Sequence, residues 1–391
     1  MKMNKWTMGL AAAGVVSLSS VAQAQDAAAG AEALAASTTL SGYVSTGYHY
    51  GNGQATGGEN YFRAADGQNA FSLDVVDLKL SSAQGDGAMA TGYTVELWMG
   101  PAASDIGTQD SGTGGTVELM QANIDLRLDV GNGIDLKVGQ FGTIVGNDVY
   151  NYNENTFYTH SWAFAIEPTH HTGILADYTV SEGLTVGLGL ANTNSNATNG
   201  SSGGNGASKT WLASVSYTLP DSLGTYLGGS ELYYGYVAGP QSTASGASGD
   251  GSDTEYQYAS LSTPLPIANL SHKVTWTNVE YGAANAASSS VIGYHLSYAL
   301  SADTTINARV EVGNINADLD GDGTLQSVDS FENADDLQSL TLGVNHKIWE
   351  NVISRIEWRH DQHNSDAAQQ GDGVSRGQSQ DTIALNLIYS F

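Results

Sequence analysis

The feature that most constrains this chain is an alternation of period two, held through nearly its whole length. Leu184, Val186, Leu188 and Leu190 alternate with Thr185, Gly187 and Gly189. Ile306, Ala308, Val310 and Val312 alternate with Thr305, Asn307, Arg309 and Glu311. Successive side chains of a strand point to opposite faces, so such a segment has one apolar face and one polar or small face. Sixteen segments of this kind run from 38–50 to 379–391. They are long for a soluble sandwich, whose strands usually have about 5–6 residues. The connections between them alternate short and long. Long ones fall near 51–68, 100–115, 142–169, 194–207, 240–253, 282–287, 317–335 and 362–378. If the strands run up and down, all long loops share one rim, and the short turns and both termini share the other. An even strand number with that asymmetry describes an all-β transmembrane antiparallel up-and-down barrel of about 16 strands, with long external loops and short periplasmic turns. A membrane demands closure, because a sheet edge in hydrocarbon leaves backbone groups unpaired. The alternative is a soluble sandwich or solenoid.

Residues 1–24 place the chain in the export pathway. Lys2 and Lys5 precede an apolar run from about Met8 to Val21, which ends in Ala22-Gln23-Ala24. This is the pattern of a signal peptide cleaved near Ala24. Residues 25–37 then read as a short linker, and 38–391 as the barrel. After Ala24 no apolar stretch has the length of a membrane helix. The expected location is the outer membrane of a Gram-negative-type cell.

Composition removes other classes. The chain has no cysteine, so disulfide frameworks and thiolate chemistry are excluded. It holds 40 acidic and 13 basic residues, a formal charge of −27. Loss of Lys2 and Lys5 with the leader makes this −29. Nucleic acid is not an expected partner, since binding it needs a basic stripe. His170-His171 and His360-x-x-His363 are the densest histidine pairs, and the sequence nominates no further zinc ligands beside them. The chain reads as no enzyme and as carrying no organic cofactor.

The last segment alternates Ile383, Leu385, Leu387, Tyr389 and Phe391 to the terminal carboxylate. It resembles the signal read by the barrel-assembly machinery. Other aromatics, among them Tyr50, Trp98, Tyr217, Tyr233, Tyr256, Tyr258, Tyr281, Tyr294 and Tyr298, fall near segment ends, where barrels carry aromatic girdles against lipid.

Several stretches resemble the OmpL-like beta-barrel porin-2 family. They are Leu40-Ser41-Gly42-Tyr43-Val44, Asn69 to Leu78, Val138 to Gly146, Asn155 to Trp162, and Pro168 to Gly173. The resemblance is best over 38–190 and is silent on substrate. It implies a water-filled channel for passive diffusion of small hydrophilic solutes or ions, and general porins imply a homotrimer. By the same analogy the third long loop, Gly142 to Thr169, folds inward and forms the constriction. That loop carries Asp148, Glu154 and Glu167 and no Lys or Arg. Asp148 and Glu154 are the candidate acidic eyelet residues, or else they only cap and anchor the loop. The loop's aromatics, Tyr150, Tyr152, Phe157, Tyr158, Trp162 and Phe164, either pack within it or form a slide for sugars.

Alternation aims Arg309, Glu311, Arg355, Glu357 and Arg359 into the lumen. Lys79, Arg127 and Lys137 also point inward, near Asp77, Asp125 and Asp135. Mixed-sign rings give a transverse field; the plainer reading is wall-stiffening ion pairs. The acidic total predicts cation preference. Inward Gly, Ser and Thr favour an open lumen over a plugged barrel that serves as adhesin, receptor or sheath for a partner.

One motif stands apart. Asp318, Asp320 and Asp322, with Gly323, Thr324 and Asp329, follow the D-x-D-x-D-G pattern with an acid at the twelfth position. Alternating carboxylates converge on one hard cation, so the pattern fits a calcium ion held in the loop 318–329. Asp329 stands where an EF-hand has Glu. The alternative is an acidic surface loop with turn-forming Asp-Gly pairs.

Overall fold

A computed structural model describes residues 16–17, 37–53, 70–106, 117–194, 208–240, 253–282, 288–315, 334–365 and 376–391. The calcium-type residues Asp318 to Asp329 lie outside them, as does nearly all of the 1–24 segment.

Sixteen strands form one ring: β1 (Thr39–Gly53), β2 (Ala70–Ser82), β3 (Thr91–Met99), β4 (Val117–Leu128), β5 (Ile134–Gly142), β6 (His170–Ser181), β7 (Leu184–Ala191), β8 (Thr210–Thr218), β9 (Glu231–Pro240), β10 (Asp253–Ser262), β11 (Leu270–Tyr281), β12 (Ser288–Ala299), β13 (Thr304–Ile315), β14 (Ala334–Trp349), β15 (Val352–Ser365) and β16 (Arg376–Ser390). Each pairs antiparallel with the next. The ring closes where β16 pairs with β1, with Leu385 opposite Tyr48 and Leu387 opposite Thr46. The terminal residue completes the seam: Phe391 and Gly42 exchange backbone hydrogen bonds of 3.0 Å in both directions. A two-residue bridge, Val16–Ser17 against Leu40 and Thr39, lies outside this ring.

The alternation seen in the sequence is the inside–outside alternation of the wall. On β13, Asn307, Arg309 and Glu311 are buried, while Ile306, Val310 and Val312 are exposed. On β15, Arg355, Glu357, Arg359 and Asp361 are buried and Ile356 is exposed. Leu188, Leu385 and Leu387 add to the outer apolar surface. That exterior suits hydrocarbon, and the described residues contain no helix long and apolar enough to cross a membrane. The strands do the crossing.

Two expectations change. The connection after β3, expected as plain loop, begins with a helix, α1 (Pro101–Ile106). The aromatic girdle is also smaller than expected. Tyr50, Tyr217, Tyr294, Tyr298 and Tyr389 face outward, but Trp98, Tyr256, Tyr258 and Tyr281 are buried on the inner side. A strand end can turn its ring to either face, and only the register fixes which.

Candidate functional site: the lumen and its inward loop

The loop Gly142–Thr169 enters the barrel and spans it. At its base, the Thr143 amide donates to the Thr169 carbonyl at 2.9 Å. Gly146 turns the chain with φ +102, a conformation L-residues rarely adopt. Asn155 stitches the loop to itself, accepting from the Val149 amide at 2.9 Å and donating to its carbonyl at 2.6 Å. A short helix, α2 (Trp162–Ala165), is capped by Ser161, whose hydroxyl accepts from the Phe164 amide.

Most of the predicted constriction residues hold this loop. Arg309 donates to the carbonyls of Thr159 at 3.1 Å and His160 at 3.2 Å. It also meets Asp148 at 3.1 Å, with both side chains buried. Asp148 accepts from the Ser161 amide at 2.7 Å. Glu311 accepts from the Trp162 amide at 2.8 Å. Glu357 accepts from the amides of Tyr158 at 2.9 Å and Thr159 at 3.3 Å, and from the Thr159 hydroxyl. Arg355 donates to the carbonyls of Tyr152 and Asn155, each at 2.7 Å. Arg359 donates to the His160 carbonyl at 2.6 Å and pairs with Asp361 at 2.8 Å. The mixed-sign wall thus matches the bare peptide groups of a loop that has almost no regular structure. Buried peptide groups need such partners.

Contacts to the opposite wall make the loop a crossbar. The Tyr158 hydroxyl donates to Asp74 of β2 at 2.9 Å, and Tyr150 donates to Glu96 of β3 at 2.8 Å. The Tyr152 amide donates to the Tyr43 hydroxyl of β1 at 3.2 Å. Trp98 packs on Tyr150 and Tyr152, with ring centroids 5.4 Å and 5.9 Å away. Tyr150, Tyr152, Phe157, Tyr158 and Trp162 are all buried, so these aromatics pack rather than line a slide for sugars.

The two candidate eyelet acids sit in different surroundings. Asp148, itself part of the loop, is paired with Arg309 at 3.1 Å, as in the reading that has it anchor the loop. Glu154 is exposed and accepts from the Asn151 side-chain amide at 3.2 Å. Inward glycines also do not all leave open space. A Cβ on Gly47 would stand 2.5 Å from the Tyr158 hydroxyl, and one on Gly343 would stand 3.2 Å from the Phe157 ring. Both admit loop side chains.

The lumen pairs toward the short-turn rim follow the plainer reading. Arg127 meets Asp135 at 2.8 Å and Lys137 meets Asp125 at 3.0 Å, all partly exposed. Each contributes at most about 1 kcal/mol. Lys79 pairs with Glu96 at 3.9 Å rather than with Asp77.

Sheet register gathers the cations in a way the sequence does not disclose. Lys273 stands opposite His295, His295 opposite Arg309, Arg309 opposite Thr341, and Thr341 opposite Arg359. One basic row therefore crosses β11 to β15. The next inward row toward the long loops holds Glu311, Ser339 and Asp361. Sequence alone does not single out Lys273, because only pairing across three strands reveals the row.

Beside the crossbar lies a cavity of 1190 Å³. It runs from the loop segment Gly142–Tyr150 along the inner wall to the turns at Glu182 and Tyr217–Ser222 on the short-turn rim. Three links fasten the loop to this side. Tyr233 donates to the Ile144 carbonyl at 2.5 Å, Lys273 to Asn147 at 3.1 Å, and Thr277 to Glu167 at 2.5 Å. Burial pushes the Glu167 carboxyl up to about 8, against the Thr277 hydrogen bond and with the help of the Asp148 and Glu311 charges. Burial also raises the Asp148 carboxyl, but Arg309 and the Ser161 amide more than offset this and hold it below the ordinary carboxylate value. Burial pushes His160 down to about 4, so it is a neutral ring stacked on Phe164. The described residues contain no cluster of metal-ligating side chains.

A closed sixteen-stranded barrel, apolar outside and crossed inside by its third long loop, is the architecture of an outer-membrane porin. The chain belongs to the family described as putative beta-barrel porin-2, OmpL-like, whose model matches residues 37–391. Among solved structures, OmpF of Salmonella typhi is similar with a TM-score of 0.58 at 13% identity, covering 90% of this chain and 97% of that one. OmpT of Vibrio cholerae, in a trimer form, is similar with a TM-score of 0.56 at 14% identity, covering 90% and 99%. An anion-selective porin from Comamonas acidovorans has a TM-score of 0.54 at 15% identity, covering 91% and 99%. At these identities the likeness concerns the fold. No match to a curated protein sequence reaches significance.

Proposed function

We propose that this outer-membrane porin passes small hydrophilic solutes and ions by diffusion, with a preference for cations. The observation that carries the reading is the cavity beside the crossbar, which opens toward the short-turn rim. Its lining holds five carboxylates, Asp148, Glu167, Glu182, Asp221 and Glu231, and one Lys, Lys273. Asp148 is paired with Arg309, and Glu167 is largely protonated near neutral pH, so Glu182, Asp221 and Glu231 supply the field. A path lined by one sign of charge concentrates counter-ions. Export by removal of residues 1–24 belongs to the same reading.

The test is single-channel current of the refolded protein in a planar bilayer under a salt gradient. Stable steps with a cation-side reversal potential support the reading. A reversal potential at zero or on the anion side overturns the cation preference. Silence from a folded, heat-modifiable barrel overturns the channel and favours a barrel plugged by its own loop.

A further inference from the structure

Lys273 is chemically out of place in this cavity. Arg309 and Arg359, in the same basic row, are buried under the loop and paired with carboxylates at 3.1 Å and 2.8 Å. Lys273 lies at the β11 end of the row, half-buried, touches the loop through Asn147 and lines the cavity. Its ammonium gives one hydrogen bond to Asn147 at 3.1 Å and, among the described residues, has no carboxylate within 4.0 Å. An ammonium has three donors, so two remain for a guest. Glu231 of β9 stands opposite Ser262 of β10, and Leu261 stands opposite Val274 of β11, so Glu231 and Lys273 lie at one level two strands apart. Asp148 is taken up by Arg309, which leaves Glu231 beside Lys273 in the cavity wall. Tyr233, Tyr258 and Ser260 line the same part of the cavity and add hydroxyl groups.

We infer that this cavity favours zwitterionic solutes of the α-amino-acid class, with Lys273 receiving the carboxylate and Glu231 facing the ammonium. The inference rests on the reading of the barrel as an open pore. A purely acidic path would repel the carboxylate of such a solute; one unpaired cation at the level of the loop removes that barrier. Two opposite charges fixed on one wall also orient a dipolar guest, which a neutral polyol of similar size does not share. The selective group is Lys273, because the neutral lining serves both kinds of solute equally.

The experiment is swelling of proteoliposomes holding the full-length refolded protein, in isosmotic serine and in isosmotic erythritol. Wild type is expected to pass serine faster than erythritol. Lys273→Met is expected to lower the serine-to-erythritol ratio about threefold, the size of a modest solvent-screened ion contact. Lys273→Arg keeps a cation and is expected to retain the preference. A ratio unchanged in Lys273→Met, or no serine preference in wild type, overturns the inference and leaves the porin intact. Equal loss of both rates in Lys273→Met, from a variant that stays heat-modifiable, also overturns it, because Lys273 then only positions the loop. No swelling in either solute overturns the porin reading itself, and this inference with it.

Discussion

Arg309 and Glu311 stand two residues apart on the inner face of β13 and hold opposite ends of the same peptide segment. The guanidinium takes the carbonyls of Thr159 and His160, and the carboxylate takes the amides of Trp162 and Ala163 at 2.8 Å and 3.4 Å. The two also contact each other at 3.2 Å. A strand with an inward Arg-x-Glu thus presents a donor and an acceptor in the order that the loop's backbone requires. The pair fixes the crossbar in place, and the crossbar sets the width of the path beside it.

Replacing Arg309 with Met should therefore leave Asp148 buried without its cation. The expected cost is about 3–5 kcal/mol, the range for breaking one partner out of a buried ion pair. Chemical denaturation of the folded barrel measures it. Adding Asp148→Asn should restore part of the loss, since the stranded charge is gone. Single-channel conductance should rise in both variants as the loop loosens. A double variant no more stable than the single one would show that the Asp148 charge is not what Arg309 balances.

Glu167 makes stability depend on pH. Its folded-state carboxyl is raised to about 8 from an ordinary 4.5. The folded barrel then binds the proton more tightly than the unfolded chain. This contribution is fully present below about pH 4.5 and is lost progressively as pH rises to about 8. Glu167→Gln should flatten that part of the profile. Melting temperatures of both proteins in detergent, taken from pH 4.5 to 8, are the check; identical slopes would contradict a buried neutral Glu167.

Gly146 admits no side chain without cost. Its φ is +102, and a Cβ there would collide with the Glu167 carboxylate. Gly146→Ala should destabilise the loop by about 1–3 kcal/mol, the range for a non-glycine residue held in such a conformation. Limited proteolysis of the loop should quicken in proportion, while the strands stay resistant.

Selectivity should follow the unpaired carboxylates that line the cavity. Neutralising Glu182, Asp221 and Glu231 together should move the reversal potential toward zero, because they line the path. Glu154→Gln should leave it nearly unchanged, because Glu154 does not line the cavity. A large shift from Glu154→Gln alone would place the filter on the other side of the crossbar.

The mature protein should begin at Gln25 if the A-x-A site is cleaved. N-terminal sequencing of protein from outer-membrane fractions decides this. A first residue of Met1 would show that the leader is retained.

What is legible in the sequence follows from local rules. Period two is a property of one strand, so alternation alone assigns Arg309, Glu311, Arg355, Glu357 and Arg359 to the inner face, and all are buried there. Loop lengths are local too, and they separate the two rims. The inward course of Gly142–Thr169 comes from family resemblance. Its anchoring pattern does not, because hydrogen bonds such as Tyr158 to Glu357 join residues far apart in the chain. The role of Asp148 stays hidden for the same reason: nothing near position 148 announces Arg309. Trp98 and Tyr258 read as lipid-belt residues because ring type and position near a strand end suit either face.

By itself, then, the sequence pointed to a closed barrel with a polar interior, since long alternating segments and the need for closure in hydrocarbon favour it over a soluble sandwich. Only the tertiary structure decided which charges neutralise one another and which remain free. Register across β11 to β15 sets Lys273, His295, Arg309 and Arg359 in one row, and the docked loop takes Arg309 and Arg359 into its peptide groups while Lys273 lines the cavity. The physical reason is that a charge's role depends on its partners in space, and strand pairing and loop docking choose those partners.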